Sequence, residues 1–224
     1  MSYQQGSSTG TVTGTSTDFG SVGSFGLWFK PLTDLTTGGY LIPWATTGGV
    51  FCSATFYTDL NWYLGWVNST DYRAIGASTP STNAWHYLLT TWDDSTNQTQ
   101  GFLDGVLIAV NTSALVTAAT GSLYLGNDAA ANGRHDAAIR FGEGALYTRV
   151  VNSTEAAQLA SGVAASSIPS GLVHYWPMTT GDLTDHIGSD TLTAVDASPN
   201  ADHPTITTVP STTSHNSLLL LGVG

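Results

Sequence analysis

The residues able to carry acid–base, nucleophilic or metal chemistry are few in this chain. Of its sixteen acids only Glu143 and Glu155 are glutamates, and Cys52 is the single cysteine. Hydrolysis of a glycosidic bond uses two carboxylates facing one sugar. Glu155 follows Asn152-Ser153-Thr154, so its position is that of a helix-capping residue rather than an acid catalyst. Aspartate pairs exist at Asp93-Asp94, at Asp128 with Asp136, and at Asp182 with Asp185. The first lies in an Asp-Asp-Ser-Thr-Asn turn, and its two side chains point apart if the backbone is extended. Hydrolysis is therefore disfavoured and no catalytic residue is assigned. His135-Asp136, His186 near Asp185 and Asp190, and His203 beside Asp202 offer ligand atoms, but none has the H-E-x-x-H spacing of a zinc site. Cys52 sits in the apolar run Val50–Ala54 and reads as a small buried hydrophobe with no disulfide partner.

Sugar binding is the other chemistry to weigh. Trp44, Trp62, Tyr63, Trp66 and Tyr72 gather aromatic surface in one stretch, with Asn61, Asn68 and Asp71 between them. Trp62, Leu64 and Trp66 alternate, which places them on one face of a strand as a core stripe. Tyr63 and Tyr72, with Asn61 and Asp71, are then the ligand-binding candidates. The sequons at Asn68, Asn97, Asn111 and Asn152 are no more than a chain rich in Ser and Thr produces by chance.

The elements that must hold these residues are strands. Only 9% of residues are charged, against roughly 25% in an average protein, and 57 of 224 are Ser or Thr. A helical bundle needs charged wet faces. Five cations in a chain of net charge −11 give no basic stripe for nucleic acid. A hydrophobic content of 41% with seven Trp argues against disorder. No run of about 18 apolar residues suggests a membrane span, and Met1–Gly6 lacks the basic and apolar parts of a signal peptide. The expectation is synthesis in a cytoplasm without a secretory leader.

Strand-like runs occur at 25–31, 40–45, 50–58, 61–67, 71–75, 85–92, 100–104, 106–111, 122–125, 138–148 and 171–176. Asp104-Gly105 is the strongest hairpin signal. Gly142 and Gly144 mark a bulge. Asn152-x-x-Glu155, followed by Ala156, Ala157, Leu159 and Ala160 and closed by Gly162, predicts one short helix. Residues 1–22 read as a flexible or extended arm, 23–177 as the sandwich, and 178–224 as an extended segment ending in the apolar Leu218-Leu219-Leu220-Leu221.

Six segments, in order, resemble the laminin-G-like (concanavalin A-like) jelly rolls. Phe25-Gly26-Leu27-Trp28-Phe29-Lys30-Pro31 is similar to that family's F-x-x-x-W-x-K-P strand, and Asn83-Ala84-Trp85-His86-Tyr87 to its x-x-W-H-H-V strand. Phe102–Leu107 is similar to L-Y-V-D-G-V-L, and Ser122–Asn127 to L-x-I-G-x. Arg140–Tyr147 stands at G-x-I-D-E-V-R-I-Y, and Thr154–Ser161 at the family's small helix. Leu172-Val173-His174-Tyr175-Trp176-Pro177 resembles a strand that usually opens such domains, yet here it follows the helix. Either the order is rotated or a terminal strand packs back on the sheets.

The resemblance implies an all-β fold, an antiparallel two-sheet jelly-roll sandwich with one short helix and extended terminal arms. It implies no activity, since the fold hosts lectins, adhesion modules, hydrolases and structural parts. The E-x-D-x-x-E triplet of jelly-roll glucanases is missing. Family members often hold calcium at the rim, for which Asp128 and Asp136, with Asn127, are the weak candidates here; no other cofactor is expected. Such modules occur in bacteriophage virions. The expected role is thus a non-enzymatic part of a large assembly, a capsid decoration or fibre-associated protein at a virion surface. Its partners are then copies of itself and capsid or tail proteins, touched through Tyr3 and Leu218–Leu221. The alternative is a lectin or adhesin binding cell-surface glycans.

Overall fold

The structure is a computed structural model. It describes residues 2–5, 11–14, 17–36, 41–47, 51–67, 73–112, 120–126, 138–178, 181–195 and 197–208. Its strands begin with β1 (Ser2–Gln5), β2 (Thr11–Thr13), β3 (Thr17–Asp18) and β4 (Val22–Pro31). Next come β5 (Leu41–Thr46), β6 (Phe51–Phe56), β7 (Asn61–Val67), β8 (Ala74–Ala77) and β9 (His86–Asp93). The middle of the chain forms β10 (Gln98–Leu103), β11 (Val106–Asn111), β12 (Thr120–Gly121), β13 (Leu123–Leu125) and β14 (Ile139–Tyr147). Helix α1 (Ser153–Ala160) precedes β15 (Leu172–Trp176), β16 (Thr193–Val195) and β17 (Ala197–Asn200).

Two large antiparallel sheets result, besides the short pair β12-β3. The first runs β11-β10-β9-β4-β14-β1-β17, with β15 also on β14, and the second runs β16-β2-β13-β5-β6-β7-β8. Alternation decides which side chains meet between them. Phe25, Leu27, Phe29, Leu88, Trp92, Phe141, Leu146 and Trp176 of the first sheet pack against Leu41, Trp44, Phe56, Trp62, Leu64 and Leu125 of the second. The sandwich is closed at one side where β8 crosses β11: a methyl on Gly76 would sit 2.0 Å from the Ile108 carbonyl oxygen. No helix among the described residues is long and apolar enough to cross a membrane.

Strand β14 organises the first sheet. Along one edge it pairs with β4. Along the other, β1 takes Arg140 and Phe141, and β15 takes Gly144 to Tyr147. Between them the register shifts, at the bulge that Gly142 and Gly144 foretell. The segment Leu172–Trp176 is thus a terminal strand packed back on the sheet, one of the two options left open by sequence.

The segments expected as arms, 1–22 and 178–224, supply strands where they are described. Within the described residues β1, β2, β16 and β17 are sheet strands, so the sheets extend past 23–177 on both sides. Tyr3 pairs with Phe141 and Pro199 through its backbone. Leu218–Leu221 lie outside the described residues.

A second apolar layer covers the outer face of the first sheet. Leu89, Phe102, Tyr147 and Tyr175 pack there beneath Ala156 and Leu159 of α1 and beneath Ala165 and Ile168. The helix starts as its sequence requires. Asn152 accepts from the Glu155 N–H at 3.0 Å, and Glu155 accepts from the Asn152 N–H at 3.0 Å. Gly162 has φ +91° and ends the helix, with Val163 N donating to Gln158 O at 3.1 Å.

Glu143 is buried in this layer, its Oε1 accepting from Ala165 N at 3.0 Å. Burial pushes its carboxyl up, against the pull of that N–H and of the Tyr175 hydroxyl. A raised carboxyl supports the fold fully below its unfolded value, and that support is lost as pH climbs through the folded value. Glu143→Gln removes the buried ionisation. The variant should therefore gain on the parent chain as pH rises from about 4 to about 8, read as a widening gap in urea midpoints.

Candidate functional site

The β6–β7 hairpin puts polar and aromatic side chains on the outer face of the second sheet. Trp62 and Leu64 point inward and are fully buried, so Asn61 and Tyr63 point outward. The turn closes with Leu60 in the left-handed region at φ +64° and with Tyr57 N donating to Asn61 O at 3.0 Å. Asp59 fastens it, accepting from Asn61 N at 3.1 Å and from the Tyr63 hydroxyl at 2.8 Å. That hydroxyl bond lowers the Asp59 carboxyl and raises the Tyr63 phenol. Tyr57 and Tyr63 meet edge to face, centroids 4.7 Å apart at 75°. The Arg73 guanidinium carbon lies 4.8 Å from the Tyr63 ring centre and 5.7 Å from that of Tyr57. Its Nη1 donates to the Tyr57 hydroxyl at 3.3 Å. Ile75 stands opposite Tyr63 in the ladder and is exposed. The result is a half-buried tyrosine pair carrying a cation, a carboxylate and an amide on one surface. Such a surface can stack a pyranose and exchange hydrogen bonds with its hydroxyls.

Of the four ligand-binding candidates, the structure brings Asn61 and Tyr63 together. Asp71 and Tyr72 lie outside the described residues, next in sequence to Arg73. Trp44 is fully buried with its ring centre 4.7 Å from that of Phe25, and Trp62 meets Phe29 edge to face and Phe56 at a tilt in the core. Tyr57, Asp59 and Arg73 were missed. The alternation Tyr57, Asp59, Asn61, Tyr63 was legible, but it runs through a turn. Arg73 reaches the tyrosines only once β8 pairs with β7. The calcium candidates Asp128 and Asp136, with Asn127, lie outside the described residues, as do the side chains of Cys52 and Trp66. Among the described residues no three His, Cys, Asp or Glu side chains group as a metal site. Asp185 instead accepts from Tyr175 N, Gly188 N and His174, the last at 2.6 Å, and Asp182 pairs with His186 at 2.7 Å.

One constellation has the partners of a Ser-His-Asp triad. His86 Nδ1 lies 2.7 Å from Asp104 Oδ2, and its Nε2 lies 3.1 Å from both the Ser81 hydroxyl and the Ser81 carbonyl oxygen. The carboxylate takes a proton on Nδ1, and in the imidazolium form Nε2 donates to the Ser81 carbonyl as well. Asp104, at φ +52° in the hairpin turn with Gly105, also accepts from Tyr87 N at 2.9 Å. His86 therefore ties the loop after β8 to the β10–β11 turn.

A family model described as the concanavalin A-like lectin/glucanases superfamily, a laminin G type, matches residues 4–157. The chain belongs to this superfamily. The solved structures it resembles are distant in sequence. A putative carbohydrate binding protein from Bacteroides ovatus matches with TM-score 0.62 and 14% identity, over 90% of this chain and 61% of that one. The chain thus spans about three-fifths of that protein's length. A heptameric SAP-like pentraxin from Limulus polyphemus matches with TM-score 0.57 and 11% identity, over 84% and 87% of the two chains. These likenesses show the fold. No curated protein matches the chain.

The His86 tie is sensitive to pH. Burial lowers the imidazolium's pKa, but Asp104 and the Ser81 carbonyl outweigh it, and the net shift is upward. Its contribution is full below about pH 6.5 and is lost as pH rises through the folded value. Asp104→Asn should flatten the stability profile of the parent chain across about pH 6 to 8, measured as unfolding temperature against pH.

Proposed function

We propose that the chain is a non-enzymatic carbohydrate-binding module that holds a glycan on the outer face of β7 and β8. The observation that carries this reading is the Tyr57–Tyr63 pair under Arg73, with Asp59 and Asn61 at its side. The side chains hold one another in place before any ligand arrives, which lowers the ordering cost of binding. Superfamily membership and the carbohydrate-binding description of the Bacteroides protein support the ligand class. The state of the glutamates supports a binding rather than a hydrolytic role. Glu143 is buried beneath Ala165, and Glu155 holds Arg149 through two 2.7 Å bonds while capping α1. A glycan array with and without calcium tests the reading. Tyr63→Ala and Arg73→Ala should each weaken the best glycan by about tenfold, ~1.4 kcal/mol, with unfolding temperature within a few degrees of the parent. An array without hits, or variants that bind as the parent does, refutes it.

A second reading, a protein–protein module of a larger assembly such as a bacteriophage virion surface, draws on β11. This strand is the outermost of the first sheet and carries apolar side chains to solvent. Val106, Leu107 and Val110 are 65%, 46% and 46% exposed. Copies of the chain, or capsid and tail proteins, are the partners it would take. Leu107→Asp with Val110→Asp should reduce the assembled mass in light scattering and leave glycan binding intact. An unchanged mass excludes this edge.

A further inference from the structure

The outer face of the first sheet carries a second constellation, which neither reading uses. Lys30 and Arg140 lie directly opposite each other across the β4–β14 ladder. Like charges so placed repel unless an anion lies between them. Asp202 is that anion. Its Oδ2 accepts from Lys30 Nζ at 2.7 Å and from Arg140 Nη1 at 2.5 Å, and its Oδ1 from the Trp85 indole N–H at 3.1 Å. Arg140 is aimed by Gln4, whose Oε1 accepts from Arg140 Nε at 2.9 Å and from Asn200 Nδ2 at 3.2 Å. The chain's only lysine and one of its four arginines thus converge on one carboxylate.

Asp202 arrives on a strap, residues 200–208, laid over the sheet face. Pro204 is its one fully buried side chain and rests on Gly142, where an added methyl would come within 3.1 Å of the proline ring and 3.5 Å of Trp28 Cβ. Thr207 N donates to Gly162 O at 2.7 Å, and Ala164 N to Thr207 O at 2.9 Å. Besides Pro204 only Ile206, partly buried, packs on the apolar layer, and a segment so lightly anchored opens at lower free energy than the sheets. Around it, Trp28 Nε1, Tyr87 Oη and His203 Nε2 are buried without a hydrogen-bond partner. Such atoms are costly to leave unpaired.

We propose that Lys30, Arg140 and the Trp85 N–H form a carboxylate-binding site for an acidic sugar, kept closed by the chain's own Asp202. When the strap lifts, a sugar carboxylate replaces that of Asp202. The ring then lies where the strap lay, beside Trp85 and the unpaired Trp28 donor. Binding to the parent chain is weakened in proportion to the fraction of molecules with the strap open. The saccharide part of the assignment rests on the carbohydrate-binding reading; the carboxylate part does not.

Sodium glucuronate tests it on the full chain, with glucose and sodium chloride as controls. Asp202→Ala, and the isosteric Asp202→Asn should the first fold poorly, empty the cradle without removing the strap. Glucuronate at about ten times its Kd should raise the unfolding temperature of these variants by roughly 3–6 °C. It should raise that of the parent chain much less, and glucose or chloride at equal ionic strength should have no such effect. Lys30→Met added to Asp202→Asn should abolish the rise, whereas Tyr63→Ala should not, which separates this site from the one on β7. Equal shifts in the parent and in the Asp202 variants, or a shift that survives Lys30→Met, overturn the proposal.

Discussion

One constraint runs through this structure: β14 has two edges and three claimants. β4 occupies one edge from end to end, so β1 and β15 must divide the other. The bulge at Gly142 and Glu143 makes the division workable, because it turns the strand and changes which side chains face out on either side of it. Before the bulge, Phe141 points into the sandwich and Arg140 out. After it, Leu146 points in and Ala145 and Tyr147 point out. The two outer-face environments follow from this. The β1 half is polar and charged, around Arg140, and the β15 half is the apolar bed of α1.

The small number of charges also takes on a physical meaning. Six of the twelve described acids are turn fasteners. Asp18, Asp34, Asp59, Asp93, Asp182 and Asp185 each accept from the backbone N–H two residues further on. Four of the five cations are likewise held, Lys30 and Arg140 by Asp202, Arg149 by Glu155, and Arg73 by two tyrosines. Most described charges therefore have an intramolecular task. The surface on β7 and β8 joins one cation and one carboxylate, each already held by a tyrosine, to an amide and aromatic edges.

Much of the fold was legible because its signals are local. Alternation announced β7, strand-like runs announced β4 and β9, Asp104-Gly105 announced a hairpin, Asn152-x-x-Glu155 announced the helix, and paired glycines announced the bulge. The terminal strands were not legible. Ser2–Gln5 and Thr11–Thr13 have no apolar period of their own and are strands because β14, β17, β13 and β16 offer them ladders. The candidate site was legible in half. Tyr63 and Asn61 followed from strand alternation once Trp62 and Leu64 were taken as core. Arg73 and the Lys30–Arg140–Asp202 convergence depend on which strands lie side by side, and no local pattern encodes that.

The ladder between β1 and β17 joins Ser2 to Asn200 and Gln4 to Ser198. During synthesis this sets an order of events. The first strand to emerge finds neither of its neighbours present, since β14 and β17 are made far later. At about 5–20 residues per second the wait is roughly 10–40 s. Completion of the first sheet therefore waits for β17, and contacts so distant along the chain slow it further. A nascent chain stalled before residue 200 would display the bare backbone of β1, an exposed edge that holding chaperones and neighbouring chains alike can pair with.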